Sequence, residues 1–269
     1  MGHPNIIRPA CFPGTVFAGE QGMKTIMKLA FSLLFLLPQL QASAQSKPYD
    51  DLLVLYVDEQ YEKCVDRAER YVDRKDSRRD PLPYLYASMC YFEISKIPKY
   101  QEMDEYKRAG RDALKWAAKY RRKDKHMEFF ANYEDYWREL NTVAQEVGLN
   151  YFDAKEYSKA KSQFQRITRY NPENPGAWQM LALAQSGMRS VRDAAESKKQ
   201  FQEALDNVPN IAQLPLDQRV LLREGLIRSA EHLLTLGKLD SARTTVEIGS
   251  PHFMENLEFR ALYEEVEGP

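Results

Sequence analysis

The chain has 269 residues, 43% of them hydrophobic and 29% charged, with a formal net charge of −1. It is too apolar for a disordered chain and too evenly charged for a dedicated nucleic-acid binder, which shows a strong basic excess. Good helix formers dominate, glycine is scarce, and no alternating run of β-branched residues appears, so the pattern predicts an all-α protein.

Residues 1–22 carry Pro4, Pro9 and Pro13 without periodicity and read as a mis-assigned upstream start, with Met23 or Met27 the true one. Met23–Ala44 has the parts of a signal peptide. Lys24 and Lys28 lead, an apolar run from Leu29 to Leu37 follows, and Ala42-Ser43-Ala44 offers small residues before a cut at Gln45. A membrane anchor needs about 20 apolar residues, and this run is interrupted at Pro38 and Gln39. The expectation is therefore an exported chain, periplasmic or else secreted, whose mature part, 45–269, has no membrane span. No cysteine follows the cut, so the bacterial lipoprotein pattern is absent.

From residue 45 the chain reads as a series of helix pairs. In 45–80, Leu52, Leu55 and Tyr56 have helical spacing, Asp58–Tyr61 makes a turn, and Cys64 and Ala68 lie on the second helix. Cys64 and Cys90 sit at helix-packing positions and read as small apolar residues, with a disulfide between them as the alternative the sequence leaves open. In 81–124, Pro81 and Pro83 restart the chain. Tyr84, Ala87, Ser88 and Tyr91 mark a first helix, Lys96–Tyr100 breaks it, and a partner helix is predicted from about Met103 to Tyr120. That pair carries an insertion in its internal turn. Lys119–His126 is the most basic run and reads as a solvated helix end, with a phosphate or lipid-headgroup contact as the sharper alternative. Phe129, Phe130, Tyr133, Tyr136 and Trp137 follow at helical spacing and predict a buried face. One long helix, or two abutting ones, is predicted over about 125–153.

The clearest unit is 141–174. Gly148, Tyr151, Ala160, Phe164 and Pro172 stand there in the spacing of a helix–turn–helix, and Trp178 opens the next unit, 175–210. These residues at these spacings resemble the tetratricopeptide repeat (TPR), a unit of about 34 residues. Gly237–Ala242 repeats the turn logic in a weaker unit, 223–256, and a helix over about 255–266 is predicted to cap the array. The resemblance, taken as that of an exported bacterial TPR protein, implies a right-handed superhelix of antiparallel helix pairs, a TPR-like α-solenoid.

It also implies a concave groove lined by the first helix of each pair. Carried onto this chain, the family's groove positions include Tyr56, Leu85, Met89, Phe92, Gln145, Leu149, Phe152 and Gln179. That set looks apolar and lacks the asparagine and lysine with which some members grip a C-terminal carboxylate. No metalloprotease, nucleophile-elbow or phosphate-loop motif occurs, and His126, His232 and His252 lack zinc-site spacing. The expectation is a protein that is not an enzyme, uses no cofactor or metal, and acts as an adaptor or scaffold for protein partners of the cell envelope. A ligand-binding protein for glycan or peptidoglycan fragments is the alternative. Partner identity and oligomeric state are left open by the sequence.

Overall fold

The computed structural model describes residues 49–268. The leader-like segment lies outside the described residues. Twelve α-helices and two short 3₁₀ turns make up the described chain, with no strand among its residues. In order they are α1 (Asp50–Val57), α2 (Tyr61–Asp73), α3 (Leu82–Lys96), the one-turn α4 (Pro98–Gln101), α5 (Ala109–Lys123), α6 (Glu134–Asp153), α7 (Tyr157–Tyr170), α8 (Pro175–Gly187), α9 (Val191–Asp206), α10 (Leu216–Thr235), α11 (Leu239–Phe253) and α12 (Leu257–Glu267).

The helices pack as antiparallel pairs: α1 with α2, α3 with α5, α6 with α7, α8 with α9, and α10 with α11. Neighbouring pairs then stack through α2 on α3, α5 on α7, α7 on α8, and α8 on α10. The protein is an all-α solenoid.

One local device builds four of the five hairpins. Glu59, Lys155, Arg189 and Gly237 each adopt the left-handed conformation, at φ of 58°, 58°, 61° and 69°. Each is followed by a residue whose N–H reaches back to the end of the first helix: Gln60 to Leu55 O, Glu156 to Tyr151 O, Ser190 to Gln185 O and Lys238 to Leu233 O. This is the Schellman closure, which satisfies carbonyls that a helix end leaves open. The same closure thus makes the reversal between helices in these four pairs.

Small residues set how closely helices approach. A Cβ on Gly148 of α6 would stand 2.7 Å from the Phe164 ring of α7, so the glycine gives that ring its place. Ala160 and Phe164 are fully buried, as are Cys64 and Cys90. Both cysteines are free thiols, and the Cys64 Sγ faces Leu52 O at 3.6 Å. Burial pushes the Cys90 thiol up, with the neighbouring Cys64 adding to the effect.

Two stretches differ from the sequence expectation. The partner helix of α3 starts at Ala109 rather than about Met103, because the intervening residues fold into turns around an edge-on pair of rings, Tyr100 and Tyr106, 5.4 Å apart. The predicted long helix over 125–153 begins only at Glu134. Here Asp124 is the cause. Its buried carboxylate accepts N–H bonds from Glu128 at 2.8 Å and Phe129 at 3.1 Å and the hydroxyl of Tyr120. Such a side chain offers the backbone an alternative to helix. Phe129, Phe130 and Tyr133 therefore lie in a loop and a 3₁₀ turn, and Phe130 stacks on Trp137 at 5.1 Å.

Candidate functional site

The first helices α6, α8 and α10, together with the start of α7 and with α12, line a hollow of about 510 Å³. Its apolar part is Phe152, Tyr157 and Leu183. Phe152 meets Tyr157 edge-on at 5.4 Å, and a Cβ on Gly187 would fall 2.7 Å from the Tyr157 ring. Gly187 thus lets the ring lie flat against the end of α8.

Charge surrounds this floor. Arg228 of α10 spans to α6 and donates to both carboxylate oxygens of Asp153, at 3.2 and 3.1 Å, while also pairing with Glu224. Burial opposes the guanidinium charge, but the bonds to Asp153 and Glu224 outweigh it and raise its pKa. Glu231, one turn along α10 from Arg228, Glu258 of α12 and Lys155 also line the hollow. The Glu231 carboxyl titrates above its ordinary range, first through desolvation and then through the charge of Glu258. A cation placed between them would relieve that repulsion. The hollow therefore suits a segment with an apolar side chain and a basic one.

A second hollow, of about 490 Å³, lies over the first helices of the N-terminal pairs. Tyr56, Met89, Glu93 and Glu139 line it, together with the segment Ala131–Tyr136. Burial and the charge of Glu93 push the Tyr56 hydroxyl up. With Glu134 and Asp135 added, four carboxylates line this hollow, of which Glu93 and Glu139 pair with Lys96 and Asp135 with Arg138.

The eight residues singled out from the sequence divide by burial. Phe152 lines the C-terminal hollow, and Tyr56 and Met89 line the N-terminal one. Leu149 is half-buried against the core. Leu85 and Phe92 are 0% and 1% exposed and belong to the core. Gln145 and Gln179 are buried as well. Gln179 fills the space left by Gly225, whose Cβ would meet the Gln179 side chain at 3.1 Å. The apolar members of the set thus go largely into packing between helices, and the open surface is charged.

Sequence reasoning did not single out Arg228, Glu231, His232 or Glu258. They belong to the weakest unit and the cap. Counting the same groove register from Arg223 reaches Glu224, Glu231 and Thr235, so of these four the register signals Glu231 alone. Among the described residues no group of three or more His, Cys, Asp or Glu is placed to hold a metal ion, and no helix is long and apolar enough to cross a membrane.

No family model matches the chain, and no curated protein does. Among solved structures it is similar to the TPR2AB-domain:pHSP90 complex of yeast Sti1, at 14% identity, covering 81% of this chain and 83% of that one, with a TM-score of 0.32. Residue roles do not transfer at that distance. The helix-pair architecture stands here on the recurring turn and the order of packing.

Proposed function

We propose that this chain is a non-enzymatic adaptor or scaffold of the bacterial cell envelope that holds a protein partner in the C-terminal hollow of its first-helix face. The observation that carries this reading is the hollow itself: an aromatic floor at Phe152 and Tyr157, framed by the Arg228–Asp153 pair and the carboxylates of Glu231 and Glu258. A helix or extended peptide with an apolar anchor and a neighbouring lysine or arginine fits it, since such grooves bind through a few anchors. The envelope location rests on the leader-like sequence at 23–44.

The test is capture from envelope extracts by the full chain and by two variants, Phe152→Asp and Glu231→Lys. Both variants are expected to lose the captured partner while keeping the wild-type helical circular-dichroism signal and melting temperature. Capture of the same partner by both variants would exclude the hollow as the binding surface. Retention on cell-wall or glycan resin with no protein partner would overturn the adaptor reading in favour of a glycan ligand.

A further inference from the structure

A different space opens on the side of the stack, away from both hollows. Lys96, the last residue of α3, pairs with Glu139 of α6 at 3.0 Å. Beyond that point α6 continues for more than three turns, and its side chains share a lining with the end of α3, with α5 and with α7. A cavity of about 430 Å³ lies there, within the roughly 300–1,000 Å³ range of small-molecule sites. Its apolar wall is Phe92, Leu114, Leu140, Val143 and Val147. Val143 and Val147 are 40% and 38% exposed, so their part of the wall is open to an occupant.

Arg111 of α5 and Arg166 of α7 line this cavity. Both also line a groove of about 480 Å³ between α5 and α7, to which Lys115, Lys119, Arg122 and Arg169 contribute. Asp112 is the carboxylate in that lining. None of these six cations makes an ion pair among the described residues. Arg166 Nη1 reaches Gln163 Oε1 at 3.3 Å, and Lys119 Nζ lies 3.4 Å from the centre of the Trp116 ring. Burial and the charges of Arg111 and Arg169 lower the Arg166 pKa, and burial with Lys115 does the same for Lys119. A chain of net charge −1 thus gathers six cations at one place with a single lining carboxylate.

We propose that this cavity and groove form a binding site for a phosphorylated amphiphile. The aliphatic chain lies against Val143 and Val147, and a phosphate bridges Arg111 and Arg166, whose planar forks match phosphate oxygens in pairs. Lys115, Lys119, Arg122 and Arg169 take further charge of the head along the groove. The apolar wall of the cavity asks for a chain, and the cations ask for more negative charge than one carboxylate supplies. The basic run Lys119–His126 acquires a partial role. Lys119 and Arg122 face this groove, while Arg121 turns away to pair with Glu173.

Calorimetric titration of the full chain with dodecyl phosphate, below its micelle concentration, tests the site. Dodecyl maltoside supplies the same chain without charge, and inorganic phosphate supplies the charge without a chain. One dodecyl phosphate per chain is expected, with both controls weaker by about tenfold or more. Arg111→Gln, Arg166→Gln and Val147→Gln should each weaken it by a similar factor with the helical signal unchanged. Co-sedimentation with phosphatidic acid vesicles, competed by dodecyl phosphate, would identify a membrane lipid as the source of the head. Binding of dodecyl phosphate without co-sedimentation would identify a free lipid phosphate. Equal binding of dodecyl maltoside or of inorganic phosphate, or indifference to all three substitutions, overturns the proposal. So does a Glu/Leu peptide that displaces dodecyl phosphate at lower concentration, which would make the site a docking point for acidic protein.

Discussion

At the scale of single residues, two positions expose the forces that set the stack. Gly176 of α8 is one. A Cβ there would stand 2.5 Å from Leu222 N and 2.7 Å from Leu221 C, both backbone atoms of α10. Backbone cannot swing aside as a side chain does. Overpacking of this kind costs about 1–3 kcal/mol, which exceeds the roughly 1 kcal/mol that alanine gains over glycine in a helix. Gly176→Ala is therefore expected to lower the melting temperature by a few degrees. Gly110→Ala is the control, because its nearest neighbour would be Ser95 Cβ at an ordinary 3.6 Å, and no loss is expected. Equal losses at both sites would mean that the approach of α8 to α10 is not what limits residue 176. Asp217, in the first turn of α10, is the second position. It is 7% exposed, and its carboxylate oxygens have no hydrogen bond of good geometry. Desolvation raises its pKa, and the nearby Asn141 side chain and helix N–H groups offset only part of that. A carboxyl whose folded pKa is raised favours the protonated native state. Its cost is absent below the unfolded value of 3.8 and grows as pH rises through the folded value. Asp217→Asn is thus expected to stabilise the protein at pH 7, by on the order of 1 kcal/mol, with the gain vanishing below about pH 4. Denaturant melts at the two pH values measure it, and a variant equally changed at both would point to lost packing instead of lost charge.

At the scale of elements, what was legible in the sequence follows how local each determinant is. The strongest unit, with Gly148, Ala160 and Phe164, shows its packing in its own spacing, because each small residue is required by a partner helix only a turn away in sequence. The α10 helix runs Leu216–Thr235 and ends just before the turn read at Gly237–Ala242. The turns were legible as a family of similar sequences, although Glu59, Lys155 and Arg189 hide a left-handed position that glycine discloses only at Gly237. The segment 124–133 was not legible. Its break depends on one aspartate folding back on N–H groups four and five residues ahead, against an aromatic spacing that is helical on its face. The candidate site was less legible still. Register picked out Phe152, which lines the hollow, but it could not tell Leu85 or Gln179, spent on helix packing, from residues left open. That distinction depends on how α3 and α8 meet helices far away in sequence. The side cavity had no sequence signature, since its lining is drawn from four helices, α3, α5, α6 and α7.

At the scale of the whole molecule, the core divides. One buried cluster runs from Tyr49 to Leu221, and a second runs from Phe201 to Val266, with Trp178 packed against both. In a stack where each unit touches mainly its neighbours, stability is close to a sum of units and interfaces. The two clusters should then lose structure separately. The cap is the place to test this. Asn256 starts α12 by accepting the Phe259 N–H at 2.9 Å, and Phe259, Leu262 and Val266 are buried while Glu258, Arg260, Glu264 and Glu265 face water. Gly249 of α11 leaves room for the Phe259 ring, which a Cβ would meet at 2.7 Å. Removing residues 255–269 uncovers Val246 and Phe253 and removes a wall of the second cluster. Exposing side chains of this size costs about 1.5–3 kcal/mol each, enough to open α11 and the end of α10. Hydrogen exchange on the truncated chain is expected to show protection lost across Leu239–Phe253 and the C-terminal turns of α10, with α3 and α5 to α8 protected as before. Loss of protection throughout the chain would show that Trp178 and the α8–α10 contact couple the clusters into one cooperative unit, and that the protein cannot loosen its C-terminal hollow without unfolding its N-terminal half.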